Sequence, residues 1–176
     1  MNKKENQRVR LTKLMLKKAL IDLLESTPLQ QISITEICNR AEINRTTFYK
    51  YYSSECDLYG DIENDFIAIL ETNLSNSPEK NLGGLLNLIY SNQKMMSVII
   101  NNSSEENLSQ RIFSLPFVMN NINLKRLNKV LYKEELVFFL FSGCYALIKK
   151  WINTGFLIPP NEMSVLVNNI ISKFIS

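Results

Sequence analysis

The sequence predicts an all-α protein with a small N-terminal head of three helices and a larger C-terminal helical body. Only five Gly and five Pro occur among 176 residues, and the apolar residues between them recur with helical spacing. No convincing alternation of the strand type is present. With 45% hydrophobic and 21% charged residues, the chain has enough apolar side chains for a sizeable core, so we expect it to fold.

The first two helices of the head are predicted from an apolar stripe and a capping pattern. An amphipathic helix is expected over residues 8–25, and Pro28 ends it. Ser33 and Glu36 form a capping-box pattern for a short second helix over residues 34–40.

Two further caps place the next helices. Asn44 follows a tight turn and is expected to cap a third helix over residues 45–51. Ser53 is expected to cap a fourth helix, which has acidic residues in its first turn and runs to about residue 73. We therefore expect a head over residues 1–53 and a body over residues 54–176. The remaining body helices are predicted at residues 79–92, 93–101, 105–129 with a bend near Pro116, 134–154 and 161–175.

The composition excludes most catalytic chemistry. The chain has no His, so a Ser-His-Asp triad, a Cys-His pair and a His-containing zinc site are impossible. Cys38, Cys56 and Cys144 are far apart and lack C-x-x-C spacing, which indicates reduced thiols. Glu134 and Glu135 make a poor carboxylate pair, because adjacent residues point about 100° apart on a helix. We expect no enzyme activity, no metal site and no cofactor.

The chain is predicted to be cytoplasmic and to have no membrane partner. Its first ten residues are polar and basic, and no apolar signal segment follows them. The longest apolar-rich run, residues 136–148, is too short to span a bilayer.

Positive charge is concentrated at the N-terminus. Residues 1–18 contain seven Lys and Arg residues against Glu5 alone, whereas the whole chain has a net charge of +3. A basic segment leading into a helix favours a phosphate backbone, because each neutralised phosphate releases a condensed counterion. The alternative is a solvated tail.

The second and third helices, both short and capped, form a helix-turn-helix pattern, in which the later of the two helices enters the major groove of DNA. Phe48 in the third helix and Tyr52 just after it are predicted to pack into the head. The polar residues on the opposite face of that helix, spaced i, i+1, i+4 and i+5, are Arg45, Thr46, Tyr49 and Lys50.

The side chains of the third helix suit contacts with DNA. The Arg45 guanidinium matches a guanine edge. Thr46 and Thr47 suit phosphate or a thymine methyl group, and Tyr49 and Tyr51 can donate hydroxyl groups to phosphates. The alternative is an ordinary surface helix with aromatic packing.

The stretch ISITEICNRAEINRTTFYKYYS, residues 32–53, resembles the DNA-binding head of the TetR family of bacterial transcriptional regulators. The similarity covers some 45 residues, from Leu16 to about Asp61. It implies that the third helix reads the major groove and that a fourth helix connects the head to a regulatory body. The DNA contacts that the resemblance implies are Thr35, Arg45, Thr46, Thr47, Tyr49, Lys50 and Tyr51.

Two positions depart from the family pattern. Glu42 stands where the family usually has Gly in the turn, and a left-handed conformation there costs on the order of 1 kcal/mol. Ser54 stands where a Lys often contacts phosphate, so one phosphate contact is lost or comes from the basic N-terminal segment instead.

Residues 151–163 of the body resemble the junction between the last two helices of family members, which pair with a second chain as a four-helix bundle. The resemblance implies a homodimer, and the alternative is that both helices are intramolecular core. The predicted interface residues are Leu140, Trp151, Met163, Leu166, Val167, Ile170 and Phe174.

A ligand pocket of the family type would lie within the body. The side chains predicted to line it are Tyr90, Met96, Phe113, Phe117, Phe138, Phe141 and Tyr145. The alternative is that these residues are core, and no charged cluster indicates a ligand class.

Together these features predict a sequence-specific regulator that binds a pseudo-palindromic operator in double-stranded DNA as a homodimer. We expect a repressor that is released by an effector, either a small molecule or a protein. The alternatives are a transcriptional activator, or an interaction protein controlled by a protein partner.

Overall fold

The computed structural model describes residues 3–76, 82–115 and 131–175. Over these residues it contains nine α-helices and one short 3-10 helix and no strand, which confirms the predicted all-α class. The α-helices are α1 (Lys3–Leu24), α2 (Ile34–Ala41), α3 (Arg45–Phe48), α4 (Glu55–Asn76), α5 (Leu82–Ser91), α6 (Gln93–Asn102), α7 (Glu105–Phe113), α8 (Lys133–Asn153) and α9 (Pro160–Ile175).

The capping box predicted at the start of α2 is present. The Ser33 hydroxyl oxygen accepts from the Glu36 backbone N–H at 3.2 Å, and the Glu36 carboxylate accepts from the Ser33 backbone N–H at 2.8 Å. The side-chain and backbone hydrogen bonds from Ser33 lower the pKa of Glu36, so the carboxylate is ionised at the positive end of the helix.

The turn between α2 and α3 is a Schellman motif with Glu42 in the left-handed position. Glu42 has φ 56° and ψ 39°. The Ile43 N–H donates to the Cys38 carbonyl at 2.9 Å, and the Glu42 N–H donates to the Asn39 carbonyl at 3.3 Å. The Cys38 and Asn39 carbonyls near the end of α2 are therefore satisfied, but Glu42 must adopt a backbone conformation that favours glycine.

The helix α3 is shorter than predicted. Its α-helical part ends at Phe48, and turn hydrogen bonds carry the chain on, including one from the Tyr51 N–H to the Phe48 carbonyl at 2.9 Å. Asn44 caps it as predicted, because its side-chain oxygen accepts from the Thr46 N–H at 2.7 Å.

The cap of α4 lies one residue later than predicted. The Ser54 hydroxyl accepts from the Asp57 N–H at 3.1 Å, whereas the Ser53 N–H and hydroxyl both donate to the Asp57 carboxylate. Ser54 thus has a structural role at the position where the family often has a Lys.

The chain divides into two compact units, Met1–Phe66 and Ile67–Ser176, so the division lies within α4 rather than after residue 53. The reason is that the first three turns of α4 contribute to the core of the head, where α1 packs on α2 and α2 on α3. The most deeply buried head residues are Leu16, Leu20, Ile37, Phe48, Leu58, Ile62 and Phe66.

In the second unit, α5 packs on α9 and on α6, and both α6 and α7 pack on α8, which also contacts α9. The described body helices differ from their predicted bounds by no more than three residues, except that α7 ends at Phe113. The continuation to residue 129 and the bend near Pro116 lie outside the described residues.

Candidate nucleic-acid interface

The helix α3 and the turn after it, residues 45–52, together form the α3 segment, which has one buried side and one exposed side. Phe48 is fully buried and Tyr52 almost so, as predicted. On the opposite side the Tyr49 ring is 51% exposed. The other exposed members of this face are Arg45, Thr46 and Lys50.

The remaining predicted DNA contacts lie beside this face. Thr35, in the first turn of α2, is exposed, whereas Thr47 and Tyr51 are partly buried. All seven candidates therefore keep some accessible surface in the head. The Thr46 N–H is already occupied by the Asn44 cap, so the amide groups of α3 have one donor fewer for a phosphate.

The basic N-terminal segment is less available to DNA than its charge count suggests. The Lys17 ammonium lies 2.5 Å from the Asp65 carboxylate and 3.0 Å from the Asp61 carboxylate. The Lys13 ammonium lies 3.6 Å from Asp61. These two lysines are therefore paired within the head, while Arg8, Arg10 and Lys18 are exposed on α1.

Asp61 joins the charge pairs to the end of the α3 segment. The Tyr52 hydroxyl donates to the Asp61 carboxylate at 2.6 Å. Burial raises the pKa of Asp61, but the hydrogen bonds from Tyr52 and Lys17 and the charges of Lys17 and Lys13 leave it lowered overall. Burial, the hydrogen bond to Asp61 and nearby carboxylates raise the pKa of Tyr52, so its hydroxyl remains the donor.

Sequence reasoning did not identify this cluster. The signal that it offers is modest: Lys13 and Lys17 are spaced i, i+4 on α1, and Asp61 and Asp65 have the same spacing on α4. Such pairs place like charges on one face of each helix, and opposite charges can meet when those faces pack together.

The predicted pocket residues differ in burial in the described part of the body. Phe138 is 69% exposed, because it lies about 200° around α8 from buried Leu140. Tyr90 is also exposed and packs edge-on against Phe156 at 5.4 Å. Met96 and Tyr145 are buried and Phe141 partly so. Phe117 and the side chain of Phe113 lie outside the described residues.

Several predicted interface residues are buried within the chain itself, so they offer no surface to a partner. The Trp151 indole N–H donates to the Ile158 carbonyl at 2.6 Å, and its ring packs against Phe156 at 4.8 Å. Trp151 therefore secures the loop after α8. The other buried members of the predicted interface are Leu140, Met163 and Val167.

Of the remaining interface candidates, Ile170 and Phe174 line an apolar groove between α8 and α9. Leu166 and Phe174 are exposed and Ile170 is partly exposed. The groove has a volume of about 310 Å³, and the rings of Phe139 and Phe174 lie 5.7 Å apart beside it. Its lining consists of Phe139, Leu140, Gly143, Cys144, Leu147, Ile170 and Phe174.

Within residues 3–76, 82–115 and 131–175, no group of three or more Cys, Asp or Glu side chains could hold a metal ion. None of the helices described there is both long and apolar enough to cross a membrane.

Solved structures share this fold. A TetR transcriptional regulator from Streptococcus agalactiae 2603V superposes with a TM-score of 0.73 at 17% identity, over 95% of this chain and 97% of that chain. The dihydroxyacetone kinase operon activator DhaS superposes with a TM-score of 0.62 at 22% identity, over 93% of this chain and 96% of that chain.

Two curated proteins are similar in sequence. YxbF of Bacillus subtilis (strain 168), an uncharacterised HTH-type transcriptional regulator, is 21% identical over 170 residues, which cover 89% of this chain and 44% of YxbF. DhaS of Lactococcus lactis subsp. lactis (strain IL1403), the HTH-type dhaKLM operon transcriptional activator, is 38% identical over 64 residues, covering 36% of this chain and 34% of DhaS. The matched part of the chain thus spans less than half the length of either relative.

The body identifies the family most directly. Residues 76–173, more than half of the chain, match the TetR C-terminal family described as "Transcriptional regulator C-terminal region". That family consists of transcription regulators rather than enzymes. Together with the helix-turn-helix head, this match shows that the chain belongs to the TetR family of transcriptional regulators.

Proposed function

We propose that this regulator binds a specific DNA sequence by inserting α3 into the major groove. The observation that carries the proposal is the exposed face of α3, where a guanidinium, hydroxyl groups and an ammonium project from a helix whose other side is buried.

The side chains on this face divide between reading bases and holding phosphates. Arg45, at the start of α3, is the base reader, because its planar fork can bind a guanine edge with two hydrogen bonds. Lys50 and the hydroxyl groups of Tyr49 and Tyr51 hold phosphates, together with Thr35 at the start of α2. Thr46 and Thr47 contact phosphate or a thymine methyl group.

The operator is bound by a homodimer, since one recognition helix reads only a few base pairs and two must be held about 34 Å apart, or a multiple of that distance. The groove between α8 and α9 supports a second copy of the chain as its occupant. Its lining is apolar, and the Phe139 and Phe174 side chains on its border are 61% and 43% exposed. The interface we propose is therefore narrower than the predicted set and centres on Leu166, Ile170 and Phe174.

Gly143 offers a sharp test of this interface. A Cβ atom added at Gly143 would meet nothing within 4 Å beyond its neighbours along the helix, and the residue lines the groove. Gly143→Leu should therefore leave the monomer folded, and even favour α8, but should block a second chain. We expect sedimentation to show monomers for this variant and dimers for the matched control Gly60→Leu on α4, which also has open space around it. Dimers of both variants would place the interface elsewhere.

We propose that the protein is a cytoplasmic repressor. We further propose that an effector bound by the body releases it from DNA. The helix α4 continues from the first unit into the second, which supports its role as the connection between body and head. For release by a factor of about 100, the effector must prefer the non-binding state by near 3 kcal/mol, and DNA must weaken effector binding by the same factor.

The relative DhaS favours a second candidate, because it is named as an activator. A transcriptional reporter carrying the selected operator separates the two. Deletion of the regulator raises expression if the protein is a repressor and lowers it if the protein is an activator.

The DNA proposal is tested by selection from random genomic fragments, measured by gel shift at two salt concentrations. We expect a small set of fragments with a shared pseudo-palindrome to be retained, with affinity that falls as salt rises. Absence of any shift at low salt would refute the proposal and favour an interaction protein whose helix-turn-helix is structural.

A further inference from the structure

One carboxylate oxygen in the head connects three elements. The Asp61 Oδ2 atom of α4 accepts from the Tyr52 hydroxyl at 2.6 Å, at the end of the α3 segment. The same oxygen lies 3.0 Å from the Lys17 ammonium and 3.6 Å from the Lys13 ammonium, both on α1. Lys17 also donates to the Asp65 carboxylate one turn along α4.

The cluster is partly shielded from solvent, and its charge states are defined. The Lys17 side chain is only 13% exposed, and Tyr52 is buried. The lowered pKa of Asp61 keeps it an anion, and the raised pKa of Tyr52 keeps the hydroxyl protonated. The Tyr52 to Asp61 hydrogen bond is therefore charge-assisted, which makes it stronger and more directional than a neutral one.

Ring contacts extend the connection to the DNA-facing side of α3. The Tyr52 ring lies 5.8 Å from the Phe48 ring, and the Phe48 ring lies 5.6 Å from that of Tyr49. The Lys13 ammonium lies 5.1 Å from the centre of the Tyr52 ring. A displacement of Asp61 therefore acts on Tyr52, then on Phe48, and then on an exposed candidate DNA contact.

We propose that Asp61 and Tyr52 are positioning residues for DNA reading, which hold α3 at the angle its base contacts require. The inference rests on the proposed DNA-binding function. It assigns a role in sequence recognition to residues that touch no base. It also gives Lys13 and Lys17 a role in the orientation of the head rather than in phosphate binding. Base contacts depend on the angle of the helix more than phosphate contacts do, because hydrogen bonds to base edges are directional.

The experiment compares affinities for a selected operator and for the same DNA with scrambled half-sites. Tyr52→Phe removes the hydroxyl and keeps the ring, and Asp61→Glu keeps the charge but moves the carboxylate by one methylene. We expect each to lower the ratio of the two affinities about tenfold, with the affinity for scrambled DNA within about twofold of the parent. The double variant should be no worse than either single one, and Lys17→Arg should retain the parent ratio.

The matched control is Leu24→Val, which destabilises the head at the far end of α1 without touching the cluster. Urea unfolding of each variant at the assay temperature gives its free energy of unfolding, and affinities are compared at a temperature where more than about 99% of every variant is folded. A parent-like ratio for Tyr52→Phe and Asp61→Glu, or the same loss in Leu24→Val, would overturn the inference. Absence of any operator preference in the parent protein would instead refute the proposed function itself.

Discussion

Glu42 is the residue at which a single change should make this protein more stable. It occupies the left-handed position of the motif that ends α2, with φ 56° and ψ 39°. The same motif recurs at the end of α8, where the Phe156 N–H donates to the Trp151 carbonyl. There the position that corresponds to Glu42 is Gly155, with φ 71°, and Phe156 after it also has a positive φ, of 58°. At this position the chain thus has glycine in one copy of the motif and a residue with a side chain in the other.

The expected gain follows from two opposing terms. A side chain in the left-handed region costs roughly 1–2 kcal/mol, because Cβ approaches the following carbonyl oxygen. Glycine opposes this gain, because it gives the unfolded chain more conformations, which lowers the free energy of unfolding by about 0.4–1 kcal/mol. Glu42→Gly should therefore raise the free energy of unfolding by about 0.5–1 kcal/mol, which raises Tm by about 1–4 °C for a chain of this length.

Urea unfolding followed by circular dichroism provides the assay, with two controls at the same position. Glu42→Gln removes the charge and keeps the strain, so it should stay within about 0.5 kcal/mol of the parent. Glu42→Asn should fall between Gln and Gly, because Asn tolerates the left-handed region better. If the Gly variant is no more stable than the Gln variant, the left-handed conformation of Glu42 costs the folded protein no measurable stability.

Three further predictions concern the head and the thiols. Ser33→Ala removes the hydroxyl that accepts from the Glu36 N–H and should lower the free energy of unfolding by about 1 kcal/mol in urea; an unchanged midpoint would mean that this cap contributes nothing. Because the pKa of Asp61 is lowered in the folded state, its stabilising effect is present above its unfolded value, near 3.8, and is lost as the pH falls through the folded pKa. Asp61→Asn should accordingly flatten the loss of stability below about pH 4 in acid titrations, and an equally steep loss would contradict this assignment. A thiol reagent at pH 8 should modify exposed Cys56 alone in the folded protein, since Cys38 and Cys144 are buried and burial raises the pKa of Cys144 to about 11; rapid reaction of two thiols would contradict the packing.

Local signals in the sequence predicted the head well. The caps at Ser33 and Asn44 depend on residues two or three positions away, so the sequence spacing alone identifies them. The cap of α4 was placed one residue early, because Ser53 and Ser54 both bond to Asp57 and the spacing does not distinguish them.

Contacts between distant residues could not be predicted in the same way. Lys17 and Asp61 are 44 residues apart, and no local pattern indicates that these two charges meet. An apolar stripe on α9 shows that one face needs covering, but not whether the same chain or a second one covers it. Met163 and Val167 are covered by their own chain, whereas Leu166 is not, and this distinction required the structure.

The central claim, that α3 reads the sequence of its operator, is tested most directly by titrating the parent protein, Arg45→Ala and Lys50→Ala against an operator and a set of single base-pair variants of it. Fluorescence anisotropy at two salt concentrations gives each affinity, and circular dichroism confirms that the variants are folded. We expect Arg45→Ala to lose about 1–3 kcal/mol of base discrimination at one position in each half-site. Lys50→Ala should bind all sequences more weakly to the same extent, with a salt slope reduced by about 1. Equal, sequence-independent losses in both variants, or a parent protein indifferent to every base-pair change, would contradict the account.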